Sequence, residues 1–270
     1  MNEILITDEL KEIKEKRPLV HCITNYVTAN DCANIILAVG GIPVMADNKY
    51  EVEEISSKAQ ALVINIGTLS QGRLEAIILA GKSANANNVP IIFDPVGIAA
   101  SSSRKESALS ILKEVKVSVI RGNIAEMKVL LGMKAVSKGV DSIEEVDKNS
   151  SEEIAIDIAD KLGVVAVITG QTDCISDGKR ICSVQNGVEL MTRITGAGCM
   201  TTSLIGTFLG VTTDSFLASL MGVLTMGVAG EAAFENLKEK EGSGSFRVRL
   251  IDAVNLMTIE QLKERGRISG

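Results

Sequence analysis

Five unalternated apolar runs limit what this chain can fold into more than any other feature. They read GIPVMA (41–46), ALVINIG (61–67), PIIFDPVG (90–97), VSVIRGN (117–123) and VVAVITG (164–170), and most stop at Gly, Asp or Asn. A strand with one wet face alternates apolar and polar side chains, whereas a strand covered on both faces need not. Runs of this kind therefore predict a mainly parallel sheet buried between two other layers. Amphipathic stretches over 70–81, 104–115 and 151–162 lie between the runs and supply covering helices. DCISDG and KRICSVQNG, within 173–187, read as an antiparallel hairpin closing one edge of that sheet. Beyond residue 198 the pattern is mainly helical.

The chain has 270 residues, which suits one large α/β domain, and no composition break marks a linker. A single domain over 1–270 is the expectation, with the Ser-rich piece 137–152 as a surface loop or the start of a helix. Hydrophobic residues make up 46 % of the chain, yet it has no Trp, two Tyr and five Phe, so the core must be aliphatic. The net charge of −6 argues against nucleic acid, which needs clustered Lys and Arg. Two uncharged runs, Ile194–Thr213 and Ser215–Gly230, flank Asp214. They are read as helices buried by protein, with a membrane span as the lesser alternative. The charged, periodic N-terminus is neither a signal nor a transit peptide. Five cysteines (22, 32, 174, 182, 199) contain no C-x-x-C pair and accompany one histidine, His21. A zinc site is therefore not expected, and free thiols fit a reducing cytoplasm.

In sheets of this class, ligands sit beyond the carboxyl ends of the strands. The ends of the runs read Met45, Gly67, Asp94, Arg121–Asn123 and Thr169–Gly170, a set with carboxylate, amide, cation, hydroxyl and flexible glycine. Asp94 precedes Pro95 and is either a turn-capping carboxylate or an acid that acts on a metal ion or its water. In RGNIAEM (121–127), Asn123 and Glu126 form a capping-box pattern that accounts for Glu126 without chemistry. It does not account for Arg121 at the end of a buried strand. A cation there, with carboxylates at neighbouring strand ends, suits a polyphosphate with bridging Mg²⁺. TGAGCM (195–200) leads small residues into a helix start, where converging peptide N–H groups favour an anion. Cys199 in that turn is either a small buried hydrophobe or a reacting group. A His21–Cys199 dyad lacks a third, orienting residue. AGKS (80–83) fails as a phosphate loop, because Ala76 stands where the required glycine should be and the segment ends a helix instead of opening one.

Taken with HCITNYVTAN (21–30), PVM (43–45), DPVG (94–97), RGNIAE (121–126), VITG (167–170), TGAGC (195–199) and GSGSF (242–246), the chain resembles the ribokinase-like superfamily. Within it, CITNYV and the cysteine in place of the usual aspartate resemble the hydroxyethylthiazole kinase family. The resemblance implies a three-layer α/β sandwich that phosphorylates the hydroxyl of 4-methyl-5-(2-hydroxyethyl)thiazole with MgATP. It implies that Asp94 and Glu126 organise Mg²⁺, that Arg121, Thr169 and Gly198 meet ATP, and that Asn25 lies near the transferred group. Met45, Val27 and Gly196 would line the thiazole pocket, and Cys199 would act on the alcohol. It also implies a cytoplasmic homotrimer with pockets between subunits. The alternatives are a hydroxymethylpyrimidine or pyridoxal kinase, or a nucleotide- or thiazole-binding regulator without catalysis.

Overall fold

The computed structural model describes residues 8–133 and 148–270. The expected surface piece at 137–152 lies outside them up to residue 147. All five apolar runs form strands: β2 (Ile42–Val44), β3 (Ala61–Asn65), β4 (Ile91–Asp94), β5 (Val119–Asn123) and β6 (Val165–Thr169). A further strand, β1 (Leu19–Ile23), precedes them. Together with β7 (Asp173–Ser176), β8 (Ile181–Val184) and β9 (Ile268–Ser269), they make a nine-stranded sheet in the order β2-β1-β3-β4-β5-β6-β7-β8-β9. Pairings from β2 through β6 are parallel, and those of β7, β8 and β9 antiparallel. The 173–187 hairpin forms as expected but does not close the edge. The two residues of β9 pair beyond it, Ser183 opposite Ser269 and Val184 opposite Ile268.

The lack of alternation in the runs has the cause expected of it. In β3, Ala61 and Val63 enter one core while Leu62 and Ile64 enter the other. Val165 and Val167 of β6 divide from Ala166 and Ile168 in the same way. Each fully buried aliphatic side chain contributes roughly 1.5–3 kcal/mol by leaving water, so both faces must be sealed. Helices α1 (Glu9–Lys16), α2 (Ala29–Val39), α8 (Ala197–Leu209), α9 (Ser215–Glu235), α10 (Ser243–Asn255) and α11 (Ile259–Arg265) contribute to one core. On the other face lie α3 (Val52–Lys58), α4 (Gln71–Ala86), α5 (Ser102–Glu114), α6 (Ile124–Leu130) and α7 (Lys148–Leu162). The result is the expected three-layer sandwich.

The two uncharged runs become α8 and α9, which pack against each other and against the sheet. α9 is long and apolar enough to cross a membrane, but 89 % of its most apolar window is buried inside the protein. That burial supports the reading as a core helix. Asp214 caps α9, its carboxylate accepting from the peptide N–H groups of Phe216 and Leu217. α8 matters most for the site. Its first two turns are laid over the carboxyl ends of the central strands, where Thr202 reaches Asp94 across 2.8 Å.

Candidate functional site

The parallel register brings the strand-end polar residues together. Asn65 and Asp94 are paired in adjacent strands, as are Asn123 and Thr169. Asp94 is fully buried. Its Oδ2 accepts from Asn65 Nδ2 at 3.0 Å and Thr202 Oγ1 at 2.8 Å, and lies 3.6 Å from Arg121 Nη1. Its Oδ1 is buried without a hydrogen-bond partner, and so is Arg121 Nε. Burial raises the Asp94 carboxyl above its ordinary range, against the pull of Arg121 and the two donors. A buried carboxylate oxygen with no donor is costly unless something completes it.

Arg121 donates to Thr169 Oγ1 across the β5–β6 pair. The Nη1–Nη2 edge of its guanidinium presses on Gly198, where a Cβ would stand 2.5 Å from Nη1 and 2.9 Å from Cζ. Gly196 begins the same helix with φ +88°, a left-handed conformation, and a Cβ there would stand 2.7 Å from Thr28 Cγ2. Glycine at 196 thus answers both to backbone conformation and to the close approach of the β1–α2 turn. The first peptide N–H groups of α8 point into this corner, where the helix terminus adds partial positive charge beside Arg121.

Cys199 sits one residue further along, part-exposed, whereas the other four thiols are buried. Its sulfur accepts from Asn25 Nδ2 and Asn65 Nδ2, each at 3.3 Å. Burial, then the charge of Asp94, pushes the thiol up to about 12, so Cys199 carries its proton at neutral pH. The helix terminus pulls the other way, and burial with the Asp94 charge outweighs it. Asn25 is itself pinned, donating also to Asn65 Oδ1 at 3.0 Å and accepting from the Thr28 peptide at 3.1 Å.

Glu126 satisfies the capping box in full. Its Oε2 accepts from the Asn123 peptide at 2.9 Å, while Asn123 Oδ1 accepts from the Glu126 peptide at 2.9 Å. Its Oε1 takes the Gly97 peptide at 2.7 Å, so the carboxylate also ties the DPVG turn to α6. Burial and the charge of Asp94 raise it to about 7. A carboxylate that is only a cap gains nothing from sitting beside a second buried acid. Each of its oxygens keeps a lone pair beyond the peptide it already holds.

Asp94, Arg121, Thr169, Gly198, Cys199, Asn25 and Gly196 therefore meet in one corner, with Glu126 behind Asp94. Met45 follows β2, half-buried against the core of the α8 face. Val27 is 55 % exposed and its neighbour Tyr26 74 %, so this chain alone does not enclose Val27. Three residues of the corner escaped sequence reasoning. Asn65 ends β3 two residues before Gly67, which had been read as the end of that run. Thr202 is three residues after Cys199, a helical spacing that puts both on one face. Asp173 opens β7 and accepts from the Gly170 peptide at 2.9 Å. Burial of its carboxyl pushes it up to about 7, against the Gly170 peptide and the charge of Arg121.

The orphaned Asp94 Oδ1 with the nearby Glu126 carboxylate fits a hard divalent cation, which prefers oxygen donors. His21 takes no part in the corner. It is buried between Ser56 Oγ and the Ala46 carbonyl, each at 2.8 Å, and burial lowers its pKa.

Comparison with known proteins gives the same picture from another side. The model of the hydroxyethylthiazole kinase family matches residues 10–260. A hydroxyethylthiazole kinase from Clostridium botulinum is 49 % identical, the match covering 100 % of this chain and 98 % of that one. One from Alkaliphilus oremlandii is also 49 % identical, over 96 % and 95 %. The solved structure of the Pyrococcus horikoshii hydroxyethylthiazole kinase protein superposes with a TM-score of 0.89 at 37 % identity, covering 98 % of each chain. A pyridoxal kinase from Staphylococcus aureus shares the fold alone, with a TM-score of 0.61 at 16 % identity over 83 % of this chain and 90 % of that one. With its strand-end corner and its match from residue 10 to residue 260, the chain belongs to the hydroxyethylthiazole kinase family.

Proposed function

We propose that this protein transfers the γ-phosphoryl group of ATP to the hydroxyl of 4-methyl-5-(2-hydroxyethyl)thiazole at the corner formed by Asp94, Arg121 and the first turn of α8. The observation that carries the reading is the convergence on one helix N-terminus of a cation, a part-exposed thiol and an incompletely bonded buried carboxylate. Phosphoryl transfer passes through a loose transition state, so most of the rate gain comes from placement and neutralisation of charge. The peptide N–H groups of 197–199 and the Arg121 guanidinium supply donors that need no rearrangement as charge moves. Thr169 holds Arg121 in that position. Asp94 and Glu126 would hold Mg²⁺, which supplies neutralisation of the phosphate oxygens.

Cys199, protonated and held by two amides, orients the alcohol and does not deprotonate it in advance. Asn25 fixes the same sulfur from the other side. Met45, Val27 and Gly196 form the wall for the apolar ring. The exposure of Tyr26 and Val27 supports a pocket completed by a second subunit, as in a homotrimer. Five free cysteines support residence in the cytoplasm.

The test is ADP release by the purified protein with hydroxyethylthiazole, hydroxymethylpyrimidine and pyridoxal, with and without Mg²⁺. Mg²⁺-dependent turnover of the thiazole is expected. Turnover of either other alcohol in preference to the thiazole would refute the assignment.

A further inference from the structure

Asn65 makes four hydrogen bonds, and their polarity leaves its side chain one orientation. Its Nδ2 donates to Asp94 Oδ2 at 3.0 Å and to Cys199 Sγ at 3.3 Å. Its Oδ1 accepts from Asn25 Nδ2 at 3.0 Å and from the Gly67 peptide at 2.9 Å. The Gly67 N–H can only donate, so the amide cannot flip without placing its NH₂ against a donor. The side chain is 1 % exposed, and its backbone is locked into β3 directly opposite Asp94.

Two consequences follow for the sulfur. Asn25 and Asn65 both donate to it, so two of its directions are taken up by amide N–H groups and its S–H bond must point elsewhere. One rigid amide bonds both the sulfur and the Asp94 carboxylate, adding a link between them to the one that α8, which carries Cys199, makes through Thr202.

We infer that Asn65 is a positioning residue for the transfer: through one amide group it fixes the Cys199 thiol and the Asp94 carboxylate relative to one another. The inference rests on the proposed function for its catalytic meaning. Its geometric content is independent of turnover.

The experiment compares Asn65→Asp and Asn65→Ser with the wild-type protein. The aspartate variant keeps the acceptor toward Asn25 and Gly67 but loses both donors and sets a second carboxylate beside Asp94. Serine keeps a polar group too short to reach either partner. With both variants folded by thermal melting, kcat should fall by about tenfold or more, the scale of a small misplacement of reacting groups. KM for ATP and for the thiazole should stay within about threefold, because ground-state contacts are made elsewhere.

Alkylation of Cys199 by iodoacetamide, followed by mass spectrometry, reads the same link without turnover, since the other four thiols are buried. The new carboxylate should slow it by about tenfold or more in Asn65→Asp. Wild-type kcat in either folded variant, or a wild-type alkylation rate in Asn65→Asp, would overturn the inference. Loss of the fold in both variants would overturn it too, by making Asn65 a packing residue. If the wild-type protein turns over no thiazole while alkylation still responds, the function has failed and the link between Asn65 and Cys199 stands.

Discussion

Glu126→Gln separates a capping carboxylate from one that also works beside Asp94. In the native protein both oxygens accept peptide N–H groups, Gly97 at 2.7 Å and Asn123 at 2.9 Å. Glutamine can keep one of these bonds and must turn its NH₂ toward the other donor, at a cost of about 1–3 kcal/mol. Against this stands the cost of keeping the wild-type carboxylate charged. Its pKa rises from 4.5 to about 7 in the folded protein, with burial the main cause and the Asp94 charge second. A raised carboxyl binds its proton more tightly when folded. The folded state therefore loses stability as pH climbs from the unfolded pKa through the folded one, and the penalty is complete above about pH 7. Between about pH 5.5 and pH 8 the shift costs the wild-type protein about 2 kcal/mol that the glutamine variant does not incur. Urea unfolding of both proteins across that range should show the variant gaining on the wild type by this amount as pH rises. A stability difference that is flat with pH, or that moves the opposite way, would refute the reasoning about Glu126.

Substitutions at three further positions probe the corner. Gly198→Ala places a methyl 2.5 Å from Arg121 Nη1, so the guanidinium must move; KM for ATP should rise about tenfold or more with little loss of melting temperature, checked by steady-state kinetics. Thr202→Val removes the 2.8 Å bond to Asp94 Oδ2 at constant shape; unfolding free energy should fall by about 1–3 kcal/mol, read by urea titration, with kcat reduced as Asp94 loses a donor. Cys199→Ala should slow kcat by about ten- to a hundredfold without abolishing it, Cys199→Ser should fall between the two, and Cys199→Asp should remain active. Wild-type kcat and kcat/KM in Cys199→Ala across about pH 6–9 would make Cys199 a packing residue.

The sheet was legible because burial on both faces writes itself into the sequence as unbroken apolar runs. β1 was harder to see as a strand because His21 interrupts its run, and His21 is tolerated there only because Ser56 and the Ala46 carbonyl satisfy both ring nitrogens. β9 has two residues and no periodicity to read. Asp94 and Arg121 were legible because a charge at the end of a buried strand is anomalous. Asn65 was not, since an amide followed by Ile66 and Gly67 looks like part of the run. Thr202 lies inside an apolar helix, and only the laying of α8 over β4 turns its hydroxyl into a donor to Asp94. The capping box at Asn123 was read from spacing alone, but its second task, holding the Gly97 peptide, depends on a contact 29 residues away in sequence.

The central claim is that this corner moves a phosphoryl group from ATP to the thiazole alcohol. The most direct measurement is mass spectrometry of the products after incubation with Mg²⁺, ATP labelled with heavy oxygen in its γ-phosphoryl group, and hydroxyethylthiazole. The account requires a thiazole monophosphate that retains the labelled phosphoryl oxygens, formed by the wild-type protein and strongly reduced in Asp94→Asn. Labelled inorganic phosphate with no thiazole phosphate, or undiminished transfer by Asp94→Asn, would contradict it.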